Sequence, residues 1–229
     1  MKPKILILPG LDGTGKLLRR FIQAAPDSVR CEAVIYDPHF ITLDDFVSTV
    51  VTKLGCDDKI ILIAESFSGP IATQVALRIP ERIAAIIFAT SFVQPPHKPL
   101  LSLTRFMPAF SFDIARAALV KRFCLNGVGD ENMIDEALAV VRALRSATIK
   151  RRFTVLDHLP SGQAMQRDMP VLSLYAASDR LMTPSATSSI ARTFAKTTCV
   201  AVEAPHFLLL TRAEECWHHI YKFLANCPA

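Results

Sequence analysis

The chain has 229 residues, 51% of them hydrophobic and 21% charged, and carries a formal net charge of +5. This balance excludes an intrinsically disordered chain, and the length suits one α/β domain with an insertion. The mild basicity admits an anionic partner without demanding one, no nucleic-acid partner is expected, and no run approaches the roughly 18 apolar residues of a membrane span.

In chain order, apolar strands alternate with helical patterns. Lys4–Leu8 predicts a strand ended by Pro9-Gly10, and Leu17–Ala25 predicts a helix. The apolar run before Pro9 is too short for a signal-peptide core, so the chain reads as cytoplasmic. Glu32–Tyr36 predicts the next strand, and Leu43–Leu54 a helix capped by Thr42. Ile60–Ala64 predicts a strand, Gly69–Ile79 a helix and Ile83–Ala89 a further strand. Later come a strand at Val171–Ala176, a helix at Pro184–Phe194 and a strand at Cys199–Val202. The last helix starts near Arg212, with Thr211-Arg-Ala-Glu214 as its expected capping box. Continuous apolar strands separated by helices indicate a parallel sheet covered on both faces.

Between residues 92 and 168 the alternation stops. Helices are expected near Phe112–Phe123 and Glu131–Lys150, so this stretch reads as a helical cap between two strands. The core is then 1–91 and 169–229. The insertion holds 11 Lys/Arg against 7 Asp/Glu, most of the chain's positive excess. The six cysteines form no C-x-x-C pair and read as reduced, structural residues.

Two glycine- and serine-rich turns carry the chemistry. The first, Pro9-Gly10-Leu11-Asp12-Gly13-Thr14-Gly15-Lys16, nearly spells a phosphate-binding P-loop. Position 17, where that loop needs a Mg²⁺-binding hydroxyl, is Leu17, and the dinucleotide pattern G-x-G-x-x-G fails as well. The second is Ala64-Glu65-Ser66-Phe67-Ser68-Gly69, set between an apolar strand and a helix. A nucleophile elbow takes this form, G-x-S-x-G, because bulky neighbours would collide in the strained turn. Here Ala64 and Ser68 replace the two glycines, and both are small.

A nucleophilic serine needs a base, and the base an orienting carboxylate. Both belong beyond the carboxyl ends of parallel strands. Asp179 follows the strand Val171–Ala176, and His206 follows Cys199–Val202. His39 lies upstream of the serine, His97 and His158 fall in the insertion, and His218 and His219 sit in the last helix. The loop after Ile83–Ala89, Thr90-Ser91-Phe92-Val93-Gln94, holds no carboxylate, and Glu203 is too close to its strand end.

These residues resemble the α/β-hydrolase superfamily. The motifs are the Pro9–Gly15 turn, Ala-Glu-Ser66-Phe-Ser-Gly69, Ile-Pro80-Glu81-Arg82-Ile, Ser-Asp179-Arg-Leu-Met-Thr-Pro184 and Pro-His206, spread over nearly the whole chain. The resemblance implies an α/β-hydrolase fold with a mostly parallel six-stranded sheet, lacking the superfamily's first hairpin, and a cap inserted after the fourth strand. It implies a triad of Ser66, His206 and Asp179, with the backbone N–H groups of Leu11 and Phe67 as oxyanion donors. No metal or organic cofactor is expected. The implied activity is hydrolysis of a small or medium acyl ester.

Phe92, Phe106, Phe110, Phe112, Phe123 and Phe153 supply a core for the cap or an acyl pocket. Its basic residues, Arg142, Arg145, Lys150, Arg151 and Arg152, either form a solvated face or dock an anionic acyl carrier protein. Members resembling pimeloyl-acyl carrier protein methyl esterase use basic lids in that way. A thioesterase, an acyltransferase passing the acyl group to an alcohol, and a non-catalytic binding protein are the alternatives.

Overall fold

The computed structural model describes residues 4–55, 59–94, 116–159 and 169–227. Its centre is a six-stranded sheet in the order β2-β1-β3-β4-β5-β6, with every neighbouring pair parallel. The strands are β1 (Lys4–Leu8), β2 (Arg30–Ala33), β3 (Ile60–Glu65), β4 (Ile83–Ala89), β5 (Val171–Ala176) and β6 (Thr197–Val202). This is the fold that the α/β-hydrolase resemblance implied, with no antiparallel pairing in the sheet.

Parallel strands bury both faces, which is why β3 reads Ile-Ile-Leu-Ile-Ala-Glu with all six residues buried. Successive residues then feed opposite cores. Leu6, Leu8, Leu62 and Phe88 pack against α2 (Leu43–Leu54), α3 (Gly69–Arg78) and α7 (Pro184–Thr193). Ile5, Ile7, Ile63 and Ile87 face α1 (Arg19–Gln23) and the C-terminal α9 (Ala213–Ala225). There Trp217 stacks on Phe21 at 4.6 Å and donates from Nε1 to the Phe21 carbonyl at 2.7 Å.

Three expectations are corrected. The second strand ends at Ala33 rather than Tyr36. Val34 still donates to Ile7 at 2.9 Å, but Tyr36 donates to the Gly13 carbonyl, so the chain leaves the sheet to follow the first glycine turn. The single helix Glu131–Lys150 is two, α5 (Glu131–Ala143) and α6 (Ser146–Asp157), because Leu144 and Arg145 are extended. The expected capping box on α9 is absent: Thr211 ends a short helix, α8 (Leu208–Thr211), and its hydroxyl donates to Phe207. The capping of α2 by Thr42 does form, as a reciprocal pair with Asp45.

Between β4 and β5 the described residues hold helices and no strand: α4 (Arg116–Leu119), running into a π-helical stretch (Val120–Leu125), then α5 and α6. Phe106, Phe110 and Phe112 lie outside the described residues. No described helix is long and apolar enough to cross a membrane.

Strand order fixes where a site can form. From β1 the chain moves outward to β2, then crosses back to β3 on the other side. At such a switch point the loops leaving the carboxyl ends of adjacent strands diverge and leave a crevice. The two loops are the Pro9–Lys16 turn after β1 and the Ser66 turn after β3.

Candidate active site

Ser66 stands on the turn between β3 and α3 with φ 45°, a left-handed conformation that is strained for a residue with a Cβ. A short 3-10 turn (Ser66–Ser68) leads into α3. The replacement of the second elbow glycine has a physical explanation. Ser68 is fully buried, and its hydroxyl donates to the Pro9 carbonyl while lying 2.8 Å from the Tyr36 hydroxyl. Glycine is needed one place later: a Cβ on Gly69 would collide with the Phe92 carbonyl and the Ser91 hydroxyl.

The loops after β5 and β6 bring two further side chains to Ser66. Ser66 Oγ lies 3.0 Å from His206 Nε2, and His206 Nδ1 lies 2.8 Å from Asp179 Oδ2. Asp179 Oδ1 accepts from the Leu181 and Met182 N–H groups at 2.7 and 3.0 Å. Burial works to raise the Asp179 pKa, but the hydrogen bond and charge of His206, with those two N–H groups, outweigh it and hold the carboxyl below its usual range. His206 is 4% exposed. A serine, an imidazole and an ionised carboxylate in line can pass a proton from hydroxyl to ring and stabilise the imidazolium that results.

The carboxylate-free loop after β4 anchors the serine and the histidine of this line. Thr90, itself left-handed at φ 43°, donates its hydroxyl to the His206 carbonyl at 3.0 Å. Ser91 donates to the Ser66 carbonyl at 2.6 Å. The Phe207 N–H donates to the Cys124 carbonyl in the π-helical stretch at 3.0 Å, tying the inserted helices to the histidine loop. Hydroxyl residues at the carboxyl end of a central strand were the available signal for Thr90 and Ser91.

The Pro9–Lys16 turn borders the same crevice. Gly13 N–H donates to Gly10 C=O at 3.1 Å, which places Leu11 at the first corner of a tight turn. No hydrogen bond from the Leu11 N–H is found among the described residues. Phe67 is the second residue of its 3-10 turn, where N–H groups have no intrahelical partner. Lys16 is exposed at the start of a short 3-10 turn (Lys16–Leu18).

Glu65, the residue before Ser66, is 5% exposed and accepts from Gly10 N–H at 3.0 Å. Burial, then the negative charge of Asp12, pushes its carboxyl up to about 7, against the pull of His206 and Gly10 N–H. A raised folded-state pKa favours the protonated form. Its stabilising contribution is complete below the unfolded value of 4.5 and is lost as pH rises through about 7. Such a shift corresponds to about 3 kcal/mol. Glu65→Gln keeps an acceptor for Gly10 and is expected to flatten the fall in stability across that window. Thermal unfolding at a series of pH values checks this; an unchanged slope would place the titration elsewhere.

Of the four arginines expected to dock a carrier, Arg142 and Arg145 are exposed, and Arg151 is half-buried with Nη1 3.3 Å from the Pro38 carbonyl. Arg152 is a correction. It is 2% exposed and turned inward, donating from Nη1 to the Leu11 carbonyl, so no partner can reach it.

A family model described as alpha/beta hydrolase fold matches residues 5–122 of the chain. No curated protein matches the sequence. Among solved structures, a hydrolase from Pseudomonas aeruginosa PA01 superposes with a TM-score of 0.83 at 16% identity, over 97% of this chain and 90% of that one. A thermophilic esterase from Thermogutta terrifontis, in a malate-bound structure, gives a TM-score of 0.82 at 16% identity, over 99% and 91%. The enol-lactonase from Burkholderia xenovorans LB400 gives 0.75 at 15%, over 99% and 92%.

Proposed function

Because the chain belongs to the alpha/beta hydrolase fold family, we propose that it is a serine hydrolase that cleaves carboxylic esters through Ser66, His206 and Asp179. The observation that carries this reading is the unbroken line from Ser66 Oγ to His206 at 3.0 Å and from His206 to Asp179 at 2.8 Å, set on a strained strand-to-helix turn. Structural neighbours that include an esterase and an enol-lactonase support an ester-type bond as the target.

In this mechanism His206 Nε2 takes the Ser66 proton as Oγ attacks the acyl carbonyl. Asp179 fixes the imidazole tautomer and stabilises the imidazolium. The Leu11 and Phe67 N–H groups receive the oxyanion, and a preorganised donor of this kind contributes about 3 kcal/mol to the transition state. His206 then protonates the departing alcohol, and water, activated by the same imidazole, clears the acyl-enzyme. The inserted helices α4, α5 and α6 act as a cap over the crevice. The substrates are small or medium acyl esters. A carrier-linked acyl group would have to dock on Arg142, Arg145 and Arg151, since Arg152 is buried.

The test is turnover of p-nitrophenyl esters of increasing chain length, with and without an added alcohol. Hydrolysis of the short and medium esters, with water preferred over the alcohol as acyl acceptor, is expected. Absence of turnover across the series would reject the reading, and preferential transfer to the alcohol would convert it to an acyltransferase.

A further inference from the structure

The turn that carries the Leu11 N–H is fixed from several sides. Gly10 N–H donates to Glu65, the residue beside Ser66, at 3.0 Å. Gly10 C=O accepts from Gly13 N–H at 3.1 Å, and Gly13 C=O accepts from Tyr36 N–H at 2.9 Å. Leu11 C=O accepts from Arg152 Nη1. In a trans peptide the N–H points opposite the carbonyl of the preceding residue. The bond at Gly10 C=O therefore aims the Leu11 N–H, and the bond at Leu11 C=O fixes the next peptide plane. Both planes flanking Leu11 are set, and the Leu11 N–H has no hydrogen-bond partner among the described residues, which leaves it to meet a ligand.

Three of these anchors belong to the sheet and its loops. The fourth does not. Arg152 lies on α6, one of the inserted helices, 141 positions along the chain from Leu11. It is 2% exposed, and its Nε has no hydrogen-bond partner among the described residues. Gly13 makes room for it, because a Cβ there would collide with the guanidinium. Burying a guanidinium with an orphaned donor is costly, and an apolar side chain of similar volume would fill the space without that cost. Its neighbours on the same helix face, Ile149, Val155 and Leu156, show that apolar residues are accepted there.

We infer that Arg152 is a positioning residue for the oxyanion donor: it transmits the seating of the inserted helices to the Leu11 peptide, so that the donor is aligned only while α6 rests on the turn. This inference rests on the reading of Ser66 as nucleophile and Leu11 N–H as donor. The cap is then part of the catalytic geometry and not only a cover.

Removing the anchor should weaken binding of the tetrahedral state far more than binding of substrate. The experiment compares wild type, Arg152→Met and Arg152→Lys for p-nitrophenyl butyrate hydrolysis and for inhibition by an alkylboronic acid. That inhibitor forms a tetrahedral adduct on a nucleophilic serine. Arg152→Met is expected to lower kcat about 10- to 100-fold. It should weaken the boronic acid by a similar factor and move KM less than about threefold. Arg152→Lys, which keeps a charged donor, should recover most of both losses. If Arg152→Met does not fold, Arg152→Gln is read by the same criteria. Unchanged kcat and boronic acid affinity in a folded variant overturn the inference about Arg152 alone. So does a loss carried by KM with boronic acid affinity unchanged. A wild-type protein that neither turns over the ester nor binds the boronic acid overturns the reading of Ser66 and this inference with it.

Discussion

Ser66→Ala is expected to lower kcat for ester hydrolysis on the order of 10⁶-fold, leaving only the activity that binding and the oxyanion donors supply without a nucleophile. The size follows from the chemistry. Without Oγ no acyl-enzyme forms, and His206 has no hydroxyl to deprotonate at 3.0 Å. The fold should survive, because the bonds that hold the turn involve the Ser66 carbonyl, which accepts from Ser91, and the neighbouring Ser68 hydroxyl, which reaches Pro9. Steady-state kinetics with a thermal melt checks both halves. A folded variant keeping a tenth of wild-type activity would remove Ser66 from the mechanism.

Asp179→Asn is expected to cost about 10⁴-fold in kcat near neutral pH while leaving KM nearly unchanged. The carboxylate accepts at His206 Nδ1, so the ring carries its proton there and presents a bare Nε2 to Ser66. An amide nitrogen in its place donates instead, reverses the tautomer and turns Nε2 into a donor. The same carboxyl also has a signature in stability. Its pKa is lowered in the fold, so its stabilising contribution is present above the unfolded value and lost as pH falls through the folded one. Asp179→Asn should therefore blunt the acid side of the stability profile and leave the neutral side level. A loss of activity below about tenfold would assign the orientation of His206 to other groups, of which Thr90 at the His206 carbonyl is one.

Much of this molecule is legible in the chain. β4 and β5 have the bounds that their sequences predict, since nearly every residue of each is buried on one face or the other. Ser66, Asp179 and His206 each follow a strand that the sequence predicts, and parallel strands send all such loops to one edge. The structure brings these three side chains within hydrogen-bond distance of one another. The edge strand β2 was less legible. Its residues Glu32 to Tyr36 look equally extended, and only the pull of Gly13 on Tyr36 decides where pairing stops.

The misreading of Arg152 has a specific cause. Lys150-Arg151-Arg152 looks like a solvated basic run when charge is weighed above periodicity. Yet Arg152 lies three and four positions from Ile149, Thr148, Val155 and Leu156, all buried on one stripe of α6. That spacing places it on the inward face. What the stripe could not reveal was the acceptor, because the Leu11 carbonyl lies on another loop. Glu65 left no signal at all, since its burial depends on the glycine turn folding over the end of β3.

The central claim is that Ser66 is the nucleophile, and peptide mapping by mass spectrometry after reaction with a fluorophosphonate tests it most directly. One equivalent of label is expected, on the peptide that contains Ser66 and on Ser66 itself, with labelling lost in Ser66→Ala and strongly slowed when His206 is replaced by alanine. Label on a different serine, or an unlabelled protein that still hydrolyses esters, would contradict it.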